Sequence, residues 1–192
     1  FPQTTLLLPF NGLNGATSTS DSSNNNVAVN FVGTSQISTV QSKFGESSLL
    51  FDGNSDYLTV NNSSFGSFTG STFTIEFWVY HNSISGQIYY ATNYSGGSNG
   101  VIVGKNSSHV LISNLTGGGV DITGTTAMTT GQWYHVALSG SSGSYKLFLD
   151  GNLEGSSSSS GSTGSNTWYL GAWVYSSTFS SRGISISAST IG

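Results

Sequence analysis

The chain has 192 residues, the size of a single ordinary domain, and a formal net charge of −4 with only 6% Asp, Glu, Lys and Arg. Its four basic residues, Lys43, Lys105, Lys146 and Arg182, are scattered and form no stripe for phosphates, and no apolar run approaches the roughly 20 residues of a membrane-spanning helix. Nucleic acid and membrane insertion are therefore not expected. The 12% aromatic content argues against disorder, and the absence of cysteine removes disulfides, thiolate chemistry and Cys-based zinc.

Taken in chain order, the apolar pattern has period two in segment after segment, with Gly, Asn, Ser and Asp clusters between them. Short strands are predicted over Thr5–Leu8, Val27–Phe31, Ser48–Phe51 and Tyr57–Val60. The clearest follows: Phe73, Ile75, Phe77 and Val79 alternate with Thr74, Glu76, Trp78 and Tyr80, so one face is aliphatic and Phe and the other carries Trp and Tyr. Weaker strands are predicted at Gln87–Ala91, Val101–Gly104, His109–Ser113 and Val120–Thr123. Trp133–Leu138 places Tyr134, Val136 and Leu138 on one side, and Tyr145–Leu149 is expected to pair with it before Asp150-Gly151 makes a tight hairpin turn. Residues 155–165, almost wholly Ser and Gly, read as a long surface loop and not a linker, because the aromatics Trp168, Tyr169, Trp173 and Phe179 beyond it need the same core. Trp168–Gly171 and Gly183–Ser187 complete the set. Phe1-Pro2 at the start and Ile191-Gly192 just after a strand-like stretch suggest a part of something larger. So many short strands at regular spacing, with almost no helical pattern, indicate a β-sandwich or jelly roll.

Several strings carry a family resemblance. Leu6-Leu7-Leu8 with Phe10-Asn11-Gly12, Ser42-Lys43-Phe44-Gly45 with Ser47-Ser48-Leu49, and Phe51-Asp52-Gly53 with Asp56 to Val60 come first. Phe73 to Tyr80, Gln132 to Ala137 and Leu147 to Gly151 follow in the same order. Together they resemble the concanavalin A-like, laminin-G-like jelly-roll family, in versions found in bacterial and bacteriophage surface proteins. The resemblance implies an all-β jelly-roll sandwich of two antiparallel sheets spanning residues 1–192. It also implies glycan or protein binding as the usual activity, and calcium as a frequent ion. Arg182 to Ser187 has serines where the family often has an Asp-rich strand, which weakens a calcium site there.

Catalysis finds little support. Glycosidases on related jelly rolls need two carboxylates on one face, and the strand holding Glu76 has no second acid. Glu76 is expected to hydrogen-bond across the sheet or, if the face with Trp78 and Tyr80 is open, to touch a ligand. His81, His109 and His135 come with no Gly-x-Ser-x-Gly elbow, and a satisfied structural role is expected for His135. Calcium needs six to eight hard oxygens. Asp21 in its Ser/Asn loop, and Asp52 with Asp56 in theirs, are the acids available, turn capping being the alternative use. A glycan site needs flat aromatic faces beside amides and hydroxyls. Tyr89, Tyr90, Tyr94, Trp173 and Tyr175 meet that requirement in or beside polar loops. The function expected is a non-catalytic extracellular, cell-surface or virion-surface domain that binds glycans or cell-surface polysaccharide. The alternative is a coat, fibre or capsid-decoration subunit whose partners are copies of itself or other virion or surface proteins.

Overall fold

The structure is a computed structural model that describes residues 4–61, 72–86, 88–93, 100–115, 120–141, 143–158, 167–172 and 183–191, with backbone alone at 88, 89, 92 and 183–191. Among the described residues there are fifteen strands and no helix. In chain order they are β1 (Leu6–Leu8), β2 (Val29–Val32), β3 (Gln36–Ser38), β4 (Ser48–Asp52), β5 (Tyr57–Asn61), β6 (Phe73–His81), β7 (Ile88–Thr92) and β8 (Ile102–Lys105). Then come β9 (Leu111–Asn114), β10 (Ile122–Thr123), β11 (Trp133–Ser141), β12 (Ser144–Leu149), β13 (Asn152–Ser158), β14 (Thr167–Leu170) and β15 (Gly183–Ile191).

Every pairing is antiparallel. The larger sheet runs β13-β12-β11-β6-β15-β4-β3, with β1 also paired to β15, and the smaller runs β10-β9-β8-β7-β14-β5-β2. This is the expected sandwich of two antiparallel sheets. Alongside pairs of consecutive strands, each sheet joins distant parts of the chain, as in a jelly roll: β15 inserts between β4 and β6, and β14 between β5 and β7.

The core lies between the inward faces. Phe73, Ile75, Phe77 and Val79 of β6 meet Tyr134, Val136 and Leu138 of β11, and Leu58, Val60, Tyr90, Trp168 and Leu170 come from the smaller sheet. Each such side chain fully removed from water contributes about 1.5–3 kcal/mol before chain entropy is set against it. The period-two burial of β6 and β11 leaves every second residue of both strands on the outer face of the larger sheet.

Residues 155–158, expected in a loop, instead continue β13, with Gly155 opposite Leu147 and Ser158 opposite Ser144 of β12. The hairpin turn that launches this strand is the predicted one: Asp150 (φ 50°) and Gly151 (φ 79°) both adopt the left-handed conformation that a two-residue type I′ turn needs. Small residues suit this edge because β13 passes close to β10. A Cβ on Gly155 would lie 2.6 Å from Ile122 Cγ2. β3 was not anticipated, and β15 extends four residues beyond the predicted Ser187, to Ile191. The predicted strand at His109–Ser113 begins only at Leu111, because His109 has φ 67°.

Candidate binding face on the larger sheet

Strands β6 and β11 place their outward residues in register: Tyr80 is opposite Trp133, Trp78 opposite His135, and Glu76 opposite Ala137. Cross-strand neighbours stand about 5 Å apart, and the rings meet accordingly. The Tyr80 and Trp133 centroids are 5.5 Å apart and tilted 54°; those of Trp78 and His135 are 5.1 Å apart and tilted 43°. All four side chains are partly exposed. On β12, Phe148 lies opposite Ala137 and is also partly exposed, so the aromatic band continues towards that edge.

Charge gathers at the same place. His135 Nε2 is 3.4 Å from a Glu76 carboxylate oxygen, with their side chains 26% and 44% exposed. Glu76 therefore both pairs across the sheet and faces solvent. Lys43 Nζ sits 4.1 Å from the centre of the Trp78 ring, in cation–π contact, and Phe44 meets the same ring edge-on at 5.6 Å. The loop that delivers Lys43 and Phe44 is held by its own polar groups: the Ser48 hydroxyl donates to Gln41 O and the Ser42 hydroxyl to Gly45 O. In a chain with so few charges, a lysine, a glutamate and a histidine thus gather on one aromatic patch.

The neighbours of Glu76 bear on catalysis. Across the sheet it faces Ala137 and Thr190, and along its own strand it is flanked on the outer face by Thr74 and Trp78. None is an acid, so the second carboxylate of a glycosidase is missing from every adjacent position. The ring nitrogens of His135, His109 and His81 face Glu76, Lys105 and the Tyr90 hydroxyl, and among the described residues none bonds a serine.

A smaller pair occupies the outer face of the other sheet. There Tyr57 and Tyr169 have ring centroids 6.1 Å apart, and nearby the Asn30 amide donates to Thr59 Oγ1 at 3.4 Å.

The aromatic residues nominated from sequence fall elsewhere. Tyr90 is a correction: it is fully buried, stacked edge-on against Phe77 at 5.5 Å, with its hydroxyl 2.8 Å from His81 Nε2, so its ring offers no face to a sugar. It points inward because β7 carries a bulge between Tyr89 and Ala91, which breaks the alternation and buries Tyr90 and Ala91 in succession. Tyr89 lies on the same strand with its side chain outside the described set, and Tyr94, Trp173 and Tyr175 lie outside the described residues altogether. Trp78, Tyr80, Trp133 and His135 were visible in the sequence as strand residues, but their meeting depends on the β6–β11 register. Lys43 and Phe44 stood out in the sequence only as part of a family string and not as site residues, because they arrive from a loop more than thirty residues away.

The acids nominated for calcium are occupied by hydrogen-bond donors. Asp21, nearly buried, accepts from the backbone N–H of Leu7 (2.9 Å), Ser23 (2.8 Å) and Val27 (2.9 Å) and from the Ser23 hydroxyl (2.7 Å). Burial alone would raise its pKa, but these bonds hold the carboxyl below the ordinary aspartate value. Asp56 accepts from Thr34 N at 2.6 Å and Asp52 N at 3.0 Å, and Asp52 accepts from Asn54 N at 2.7 Å. Thr34 draws Asp52 and Asp56 together, since its hydroxyl reaches both, whereas Asp21 braces a different loop. Carboxylates whose lone pairs already meet N–H donors fit turn bracing and do not fit a calcium cage. Among the described residues no group of three His, Cys, Asp or Glu is assembled for a metal.

A sequence profile of laminin-G type, described as the concanavalin A-like lectin/glucanases superfamily, matches residues 52–183. None of the curated proteins compared matches the chain. Among solved structures, the binding domain of botulinum neurotoxin serotype D superposes with a TM-score of 0.73 at 13% identity, over 98% of this chain and 47% of that one. The binding domain of botulinum neurotoxin DC in complex with SialylT gives 0.70 at 15%, over 98% and 47%. The same domain in complex with rat synaptotagmin II gives 0.68 at 16%, over 98% and 47%. The chain thus spans about half the length of the solved chains it resembles, and at such identities the likeness is one of fold. The matched profile covers most of the sequence and the sandwich carries it throughout: the chain belongs to the concanavalin A-like lectin/glucanases superfamily.

Proposed function

We propose that this chain is a non-catalytic carbohydrate-binding domain that serves adhesion outside a cell, on a cell surface or on a virion. The observation that carries this reading is the patch of paired aromatics, Tyr80 with Trp133 and Trp78 with His135, set beside Glu76 and Lys43 and partly exposed on the outer face of the larger sheet. Aromatic faces take the C–H surface of a sugar ring while charged and amide side chains take its hydroxyls. The acid-free surroundings of Glu76 support a binding role over hydrolysis. The similar neurotoxin binding domains, one of them in complex with SialylT, lend the same direction at the level of fold. The charge-poor, Ser- and Thr-rich composition suits an exposed surface module of the bacterial or bacteriophage kind.

A glycan array read with the folded protein tests this: binding to defined glycans is expected, diminished at least tenfold by Trp133→Ala. A folded protein that binds no glycan would refute it. A second reading, assembly as a coat or fibre subunit with copies of itself, draws on Leu13 and Val40, which are 84% and 78% exposed. The bond from Thr39 N–H to the Asn14 side-chain oxygen Oδ1 ties their two loops together, so both apolar tips leave one edge of the molecule. Sedimentation showing oligomers that dissolve on Leu13→Ser with Val40→Ser would favour it.

A further inference from the structure

The candidate face has a direction and a charge balance, and both constrain its ligand. Its recognition groups follow strands β6 and β11 in three successive rows: Tyr80 with Trp133, then Trp78 with His135, then Glu76. Tyr80 and Glu76 are four residues apart, about 13 Å at the rise of a strand, a length that accommodates roughly two to three linked sugar rings and exceeds one. The Tyr80–Trp133 pair lies at one end of this track and the carboxylate at the other, so a single sugar cannot reach both. The charges balance over the outer face: Lys43 against Trp78 and exposed Lys146 of β12, opposite Ser139, are matched by Glu76, which faces His135, and by exposed Asp52 at the end of β4. Such a face offers no surplus of positive charge for a polyanion, and the chain as a whole carries a net −4.

We propose that this face takes a neutral, unbranched glycan of about two to three sugar units laid along β6 and β11. The first unit stacks on Trp133 and Tyr80, and the far unit gives its hydroxyls to Glu76. Lys43 and His135 hold Trp78 and Glu76 in place between them. This rests on the carbohydrate-binding reading above and specifies its ligand class.

The test is titration calorimetry with neutral gluco-, manno-, xylo- and N-acetylglucosamine oligosaccharides of one to four units, alongside oligogalacturonate and heparin-derived fragments. In at least one neutral series, affinity should rise tenfold or more from one to three units and level off at four. Trp133→Ala and Glu76→Gln, each checked for unchanged near-ultraviolet circular dichroism, should each lose tenfold or more on the three-unit probe. Glu76→Gln, nearly isosteric and partly exposed, keeps the test open should Trp133→Ala unfold. A monosaccharide bound as tightly as its trisaccharide overturns the proposed span, and preference for an acidic probe overturns the neutral class. Undiminished binding by the folded variants overturns the site. Each of those results leaves the carbohydrate-binding reading standing; binding of no probe removes both.

Discussion

Acidification should destabilise this fold through one buried histidine. His81 ends β6 wholly inside the sandwich, its Nε2 on the Tyr90 hydroxyl across the core and its Nδ1 without a hydrogen-bond partner among the described residues. Burial disfavours the imidazolium, and nearby Lys105 and then His109 add repulsion, lowering its pKa from 6.5 to about 4. The unfolded chain therefore binds this proton at a higher pH than the folded one. Stability is full above pH 6.5 and is lost as the pH falls from there towards about 4. At 1.36 kcal/mol per unit the whole shift corresponds to about 3 kcal/mol, of which about 2 kcal/mol is gone by pH 5. For a domain of this size that is a fall in Tm of roughly 4–8 °C. Urea unfolding at pH 7 and pH 5, followed by tryptophan fluorescence, measures it directly. In His81→Gln, which retains a partner for Tyr90, the pH 7 to pH 5 difference should shrink by about that 2 kcal/mol whatever the variant's absolute stability. A wild-type stability flat across that range, or a variant with the same slope as wild type, would refute the reasoning.

Asp21→Ala should cost about 3 kcal/mol, since it leaves the Leu7, Ser23 and Val27 amides without their acceptor, and calcium or a chelator should leave the Tm of the wild type unchanged. A rise of several degrees with calcium would show that the acids are metal ligands after all. Glu154→Ala removes the acceptor for Thr125 N at 2.6 Å and Thr126 N at 2.9 Å and should lower stability by about 2 kcal/mol in denaturant titration. Gly155→Val should destabilise by about 1–3 kcal/mol through its clash with Ile122, whereas Gly151→Asn, in the open turn, should stay within about 1 kcal/mol of wild type.

How much of this was legible in the sequence follows from what each element relies on. β6, β11 and β12 bury one face and expose the other, so alternation alone exposes them, and the β11–β12 pairing with its Asp150-Gly151 turn follows from proximity. β3 is three residues with one aliphatic side chain, and the far half of β13 is Gly and Ser. Both are strands because a neighbour supplies their hydrogen bonds, and side-chain pattern does not report that. The outer face of β6 was visible as Trp and Tyr beside Glu76. Its partners Trp133 and His135 required the register, and Lys43 with Phe44 required the path of a loop. Tyr90 misled because its polar neighbours suggested exposure, while a bulge in β7 that alternation does not report turned it into the core.

The binding face itself is tested most directly by the indole N–H signals of the four tryptophans during titration with a glycan that the protein binds. Trp78 and Trp133 lie on the proposed face, Trp168 is fully buried, and Trp173 follows β14. The account predicts that the Trp78 and Trp133 signals shift with ligand in step with the binding curve while Trp168 stays still. Saturation that moves Trp173 and leaves Trp78 and Trp133 in place would contradict it.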